Sequence, residues 1–116
     1  MSSGSAGLFS PLALGVLTLP NRFVMPAMQR GFCQDGAPLP ELARYYARRA
    51  EGGVALIISE SNAVDHPSAT VQPTAARLNA ATAGAWAACV EAVHAAGGRM
   101  LLQLWHEGGL RKDADG

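Results

Sequence analysis

The sequence predicts an α/β fold of about three βα units, with parallel strands set in a barrel rather than an open doubly wound sheet and too few to close one alone. Three observations carry that reading. Apolar strand segments alternate with amphipathic helical segments, and each helical segment ends in a glycine pair, Gly52-Gly53 or Gly97-Gly98, just before the next apolar run. Residues 54–58 (VALII) are apolar on both faces, as a strand is when a parallel sheet or barrel buries it on both sides. The place after the first strand, where an open dinucleotide-binding sheet carries G-x-G-x-x-G, instead holds Pro26, Ala27, Met28, Gln29, Arg30 and Gly31, and no Walker loop is present. Repeated βα units make parallel strands with right-handed crossovers, so the strand C-termini share one rim, where loops build ligand sites.

The elements follow in order. Residues 1–7 are small and polar, with no basic segment and no apolar stretch behind them, and read as a flexible start rather than a leader. Residues 8–19 alternate apolar positions with Pro11, Gly15 and Thr18, which predicts short extended pieces ahead of the main fold. Residues 22–26 form the first strand, closed by Pro26 because proline cannot continue a ladder. Residues 29–38 read as a loop turning at Asp35-Gly36. Pro40 suits the first helical position and Glu41 the positive end of the helix dipole, and Leu42, Tyr46 and Ala50 make one apolar stripe. After the second strand, Thr82 is the expected N-cap of a helix with Trp86, Val90 and Val93 on its buried side. Residues 100–105 give the third strand, and residues 112–116 a polar loop.

Composition narrows the function. At 49% hydrophobic and 16% charged residues the chain has the apolar content of a packed domain. Nine basic and nine acidic residues cancel, which sets aside nucleic acid and anionic membranes as partners. No apolar run reaches the roughly 20 residues of a membrane span, so a cytoplasmic protein is expected. Cys33 and Cys89 lie far apart, outside any metal-ligand spacing, and Cys89 reads as a small buried hydrophobe.

Three segments meet at the predicted rim: residues 26–30, 59–64 and 103–108. Gln103 interrupts an apolar strand, and its buried amide would need partners, supplied either by neighbouring backbone or by a heterocycle with an adjacent carbonyl and N–H. Trp105 falls on the same side of that strand by alternation, as a wall beside the amide or as core. Glu60 is read as a rim hydrogen-bond or ion-pair partner, His106 as a titratable group beyond a strand end, and His66 and His94 as surface residues. Arg44 and Arg48, with Arg49 beside them, mark a solvated helix face, whereas Arg30 stands at the rim and is expected to salt-bridge a neighbouring loop.

Four segments of the chain together resemble the Old Yellow Enzyme family of FMN-binding (β/α)8 barrels. They are residues 8–22, beginning LFSPLALG and ending in Asn21-Arg22, then residues 24–28 (VMPAM), residues 53–64 (GVALIISESNAV) and residues 103–106 (QLWH). The resemblance implies that residues 8–116 are the N-terminal portion of an FMN-binding barrel. It implies that Pro26, Ala27, Met28 and Gln29 lie against the flavin ring, that Ser61 approaches its O4, and that Gln103 hydrogen-bonds its pyrimidine edge. Trp105 would wall the substrate pocket. Family members often carry Thr or Cys at position 29 and Ala at position 61, so Gln29 and Ser61 are departures.

The implied activity is NAD(P)H-driven reduction of an activated C=C bond in a small-molecule substrate. Related flavin enzymes that oxidise C–N bonds or reduce dienoyl thioesters, and a non-catalytic barrel fragment, are the alternatives. The resemblance places the catalytic acid and the carbonyl-activating pair later in the family's sequence, so no catalytic residue is expected in this chain. The remaining barrel segment, on a second chain or in a C-terminal continuation, is the expected partner. An oligomer is compatible with all of these readings.

Overall fold

The computed structural model describes residues 7–112. The expectations for residues 1–6 and 113–116 fall outside them. A hairpin of β1 (Leu12–Leu14) and β2 (Leu17–Leu19) comes first, and its Leu19 is buried against Ala55 and Leu56. β3 (Val24–Met25) is the first parallel strand and stops at Pro26, as expected of a residue with no N–H to give. The stretch read as a loop contains a second hairpin, β4 (Cys33–Gln34) with β5 (Ala37–Pro38). Its turn is the Asp35-Gly36 pair, at φ 52° and 81°, the two positive angles of a type I′ turn. Strands of two residues carry too short an alternation to be read in advance.

Helix α1 (Pro40–Glu51) begins at Pro40 and buries Leu42, Tyr46 and Ala50. Arg44 and Arg48 are exposed on its outer face, Arg44 pairing with Glu41 at 3.5 Å, and the Arg49 guanidinium lies 3.6 Å from the centre of the Tyr45 ring. β6 (Leu56–Ala63) follows, longer than the apolar run predicted because its polar end also stays in the sheet. After the short β7 (Ala76–Arg77) comes α2 (Ala83–Ala95), which buries Trp86, Cys89 and Val93. Val90 is half-buried and His94 exposed.

Thr82 occupies the N-cap position of α2 but makes no side-chain cap. Its hydroxyl donates to the Arg77 carbonyl instead, and Asn79 Oδ1 accepts from the N–H groups of Ala81 and Thr82 at 2.9 and 3.1 Å. An Asx turn at Asn79, three residues upstream, thus holds the two residues ahead of the helix.

β8 (Arg99–Trp105) closes the sheet. It runs parallel along one whole edge of β6, while β3 and β7 pair with the start and the end of the other edge. The three main strands thus stand side by side in chain order, joined by α1 and α2, as successive strands of a barrel do. Both helices pack on one face, over Met25, Ile57, Met100 and Leu102. The other face is plugged at its start by β2 and is otherwise open among the described residues, leaving Val24 44% and Leu101 49% exposed. No helix among the described residues is long and apolar enough to cross a membrane.

Gly53 (φ 110°) and Gly97 (φ 93°) turn the chain out of each helix in the left-handed region. Gly98 answers a different need, because a Cβ there would stand 3.0 Å from Ala50 Cβ and 3.1 Å from Val93 Cγ1, at the joint of both helices with β8. Gly98→Ala is expected to destabilise the protein by about 1–3 kcal/mol through overpacking. Gly84→Ala, in α2 with open space around it, is expected to stabilise by about 0.5–1 kcal/mol. Chemical denaturation of the two variants checks both signs.

Candidate functional site

The register of β6 against β8 determines what the rim presents. Leu56, Ile57 and Ile58 pair with Arg99, Met100 and Leu101, and pairing then resumes at Ser61 with Gln103. Ser59 and Glu60 therefore oppose the single residue Leu102, the two-against-one count of a β-bulge. The extra residue moves Ser61 onto the same open face as Ile58, where strict alternation would have turned it to the helices.

A bulge interrupts the ladder, and here Ser59 repairs it. Its Oγ accepts the Gln103 N–H at 3.1 Å and an Asn62 Nδ2 proton at 3.3 Å, and donates to the Glu60 carbonyl at 2.8 Å. The Ser61 hydroxyl donates to Gln103 Oε1 at 3.0 Å. Gln103 is thus fixed at two points, backbone by Ser59 and side-chain oxygen by Ser61. Its Nε2 has no hydrogen-bond partner among the described residues and stands on the exposed face.

Gln103 is exposed, contrary to the buried amide expected, because no described element covers the face it shares with Leu101. Trp105 pairs with Ala63 two residues on, half-buried on that same face as alternation predicts. Residues 26–29 continue from β3 at the same end of the sheet, with Ala27 half-buried and Pro26, Met28 and Gln29 exposed. The open rim therefore offers an oriented amide donor, a serine hydroxyl, an aromatic wall and an irregular stretch of backbone. That set fits the pyrimidine edge of a flat heterocycle such as a flavin.

Glu60 does bond to the rim segment as expected, but from inside β6, 1% exposed, on the helix side. Its Oε1 accepts the Arg30 N–H at 3.4 Å and its Oε2 the Cys33 thiol at 3.5 Å, while its own N–H donates to Tyr46 Oη at 2.9 Å. Burial pushes its pKa above the usual 4.5, with the Arg30 N–H, the Cys33 S–H and the Arg30 charge pulling the other way. Burial, with Glu60 adding to it, raises Cys33 to about 12 and Cys89 to about 11, so both thiols stay protonated. Arg30 forms no ion pair among the described residues: its Nε donates to the Gln29 carbonyl at 2.9 Å and its guanidinium stands 5.9 Å from the Tyr45 ring centre.

Beyond β8, Gly108 N–H donates to His106 Nδ1 at 2.8 Å, which leaves the ring proton on Nε2. Nε2 meets Ser68 Oγ at 3.1 Å, and Ser68 Oγ meets His66 Nδ1 at 2.7 Å. Glu107 Oε1 accepts from Thr70 Oγ1 and Gln72 Nε2 at 3.0 and 2.8 Å. These bonds stitch the turn after β6 to the end of β8. His66 is surface-exposed as read from the sequence, but its ring is engaged. Ser68 escaped the sequence reading, Tyr46 was read only as part of an apolar stripe, and Ser59 and Glu107 fell within the rim segments without a role of their own. Only Ser59 left a signal there, as the first polar residue after a run buried on both faces.

Three parallel strands in chain order, with an oriented amide at their C-terminal rim, define a segment of a ligand-binding (β/α) barrel. The chain matches the NADH:flavin oxidoreductase / NADH oxidase family over residues 7–115, and it belongs to that family. It is 36% identical over 109 residues to a 12-oxophytodienoate reductase-like protein of Solanum lycopersicum, covering 94% of this chain and 30% of that protein. Among solved structures, morphinone reductase in complex with tetrahydroNAD superposes with a TM-score of 0.82 at 42% identity, covering 90% of this chain and 28% of that one. The Old Yellow Enzyme homologue from Zymomonas mobilis gives 0.81 at 36% identity, covering 90% and 29%. The chain thus spans under a third of the length of these relatives.

The raised pKa of Glu60 gives a pH dependence of definite sign. Below pH 4.5 folded and unfolded chains both hold the proton; above it the unfolded chain releases it while the folded chain keeps it. This group therefore lowers stability as pH rises, by at most about 1.4 kcal/mol per pH unit, until the folded carboxyl ionises. Glu60→Gln should flatten that part of the profile, as denaturant unfolding of both proteins from pH 4.5 upward will show.

Proposed function

We propose that this chain forms one wall of the FMN site of an ene-reductase. The observation that carries the reading is the Ser61–Gln103 hydrogen bond at the bulge, which aims an amide donor from the rim of a barrel segment belonging to a flavin oxidoreductase family. The chemistry FMN supplies when bound is acceptance of a hydride from NAD(P)H and its delivery to an activated C=C bond. Gln103 holds the pyrimidine edge of the ring, and a donor there favours the negative charge of the reduced form. Ser61 keeps the Gln103 amide from rotating and stands beside O4. Pro26, Ala27, Met28 and Gln29 lie along the ring, largely through backbone groups, and Trp105 walls the substrate pocket.

The proton donor and the groups that activate the substrate carbonyl belong to the rest of the barrel, in the same polypeptide or a second chain. The open apolar sheet face, with Val24 and Leu101 uncovered, supports such a partner. Relatives named for reduction of 12-oxophytodienoate and of morphinone support a reductase, and the tetrahydroNAD complex of morphinone reductase supports a nicotinamide reductant. Use of NAD(P)H leads us to assign a cytoplasmic location.

A second reading is a larger flavin enzyme that works on C–N bonds or dienoyl thioesters. A larger protein is supported by 38% identity over 104 residues to an NADH oxidase of Thermoanaerobacter brockii, of which this chain covers 16%. Iron content of the intact protein separates the two, since the resemblance implies iron–sulfur clusters in some of the larger enzymes. Anaerobic titration tests the main reading: NADH or NADPH should bleach the flavin absorbance, and an activated alkene should restore it. Failure of any alkene to reoxidise the bleached protein contradicts it. Gln103→Leu should weaken FMN retention by about 1–3 kcal/mol, because the pyrimidine edge loses its donor. Equilibrium titration of the apoprotein with FMN measures it.

A further inference from the structure

The flavin reading makes no use of Glu60, yet no other described side chain at the bulge reaches so many separate elements. From inside β6 its carboxyl meets the turn after β3 through the Arg30 N–H and the β4–β5 hairpin through the Cys33 thiol, while its backbone N–H donates to Tyr46 Oη of α1. Its carbonyl also accepts from Ser59 Oγ and Asn62 Nδ2, the groups that repair the ladder behind Gln103. We infer that Glu60 is the positioning residue of the flavin bed: its carboxyl clamps residues 26–30 against β6 and so fixes the first segment of the bed relative to Ser61 and Gln103.

The geometry favours this role over simple core packing. Residues 26–30 have no regular secondary structure, so their path depends on such anchors. The Arg30 N–H that Glu60 grips comes directly after Gln29, the last residue of the stretch assigned to the ring. The bulge that brings Ser61 beside Gln103 is also what leaves Glu60 with two free carboxyl oxygens on the helix side, where Arg30 and Cys33 meet them. One irregularity thus sets both sides of the bed. A carboxyl buried in apolar surroundings would be costly without those donors, and they give it a structural use. The inference rests on the flavin reading of the rim, and Glu60 acts through the turn without touching the ring.

The test uses the intact protein with its whole barrel and three variants, Glu60→Ala, Glu60→Gln and Glu60→Asp. Two quantities are measured: the FMN dissociation constant, by quenching of flavin fluorescence, and hydrogen–deuterium exchange of the peptide containing Arg30 in the apoprotein. Glu60→Ala should speed Arg30 exchange and weaken FMN by about tenfold, as for loss of one buried hydrogen-bonding anchor, with exchange of β8 unchanged. Glu60→Gln keeps an acceptor oxygen and should recover most of both. Glu60→Asp keeps the carboxyl but is a methylene shorter, and should behave like the alanine variant. Unchanged Arg30 exchange and FMN affinity in folded Glu60→Ala overturn the inference; if that variant does not fold, the same result in Glu60→Asp overturns it. A wild-type protein that binds no FMN would remove the flavin reading, while the Arg30 exchange comparison would still decide whether the clamp exists.

Discussion

Parallel pairing of β6 with β8 is the constraint on which the rim depends, and the bulge at Ser59 and Glu60 is where that pairing bends to a purpose. Hydrogen-bonded parallel strands keep their side chains in step, so one unpaired residue flips everything downstream to the other face. Here the flip carries Ser61 from the helix side to the open side, next to Gln103. The N–H freed at Gln103 would be an unmet backbone donor, and Ser59 Oγ takes it. A serine in the bulge, a serine after it and a glutamine opposite therefore form one unit.

The helix side has its own half of the arrangement. Tyr46, Cys33, Cys89 and Glu60 cluster there among apolar residues, and burial raises the pKa of each. Such groups remain protonated or closely held, which suits a scaffold rather than a reactive centre. The chemistry-bearing groups lie on the opposite face, where the sheet is open. This division matches the family's architecture, in which the barrel interior and its C-terminal rim hold the ligand and the helices hold the barrel.

Much of this was legible in the sequence, and the limits have physical causes. The helix stripe Leu42, Tyr46, Ala50 and the double-glycine stops could be read because they repeat a period and a backbone need. Gln103 and Ser61 could each be singled out, one as an amide in an apolar strand and one by family resemblance. The bond between them could not, because a bulge has no sequence period and alternation from Ile58 would have sent Ser61 the wrong way. Glu60 was misplaced for the same reason. The extended pieces of residues 8–19 could be read from their alternation, whereas the β4–β5 hairpin was too short to show one. Thr82 had the identity of a cap, but its hydroxyl is engaged by the Arg77 carbonyl, and Asn79, three residues earlier, holds the N–H groups of Ala81 and Thr82 ahead of the helix.

The central claim is that the bulge in β6 orients Gln103 toward a flavin. A crystal structure of the intact protein with FMN tests it most directly. In it, Ser61 Oγ should still donate to Gln103 Oε1 and Gln103 Nε2 should lie within hydrogen-bond reach of the pyrimidine edge, with residues 26–29 along the ring. A flavin bound elsewhere, or a Gln103 amide turned away from it with the Ser61 bond broken, would contradict the account.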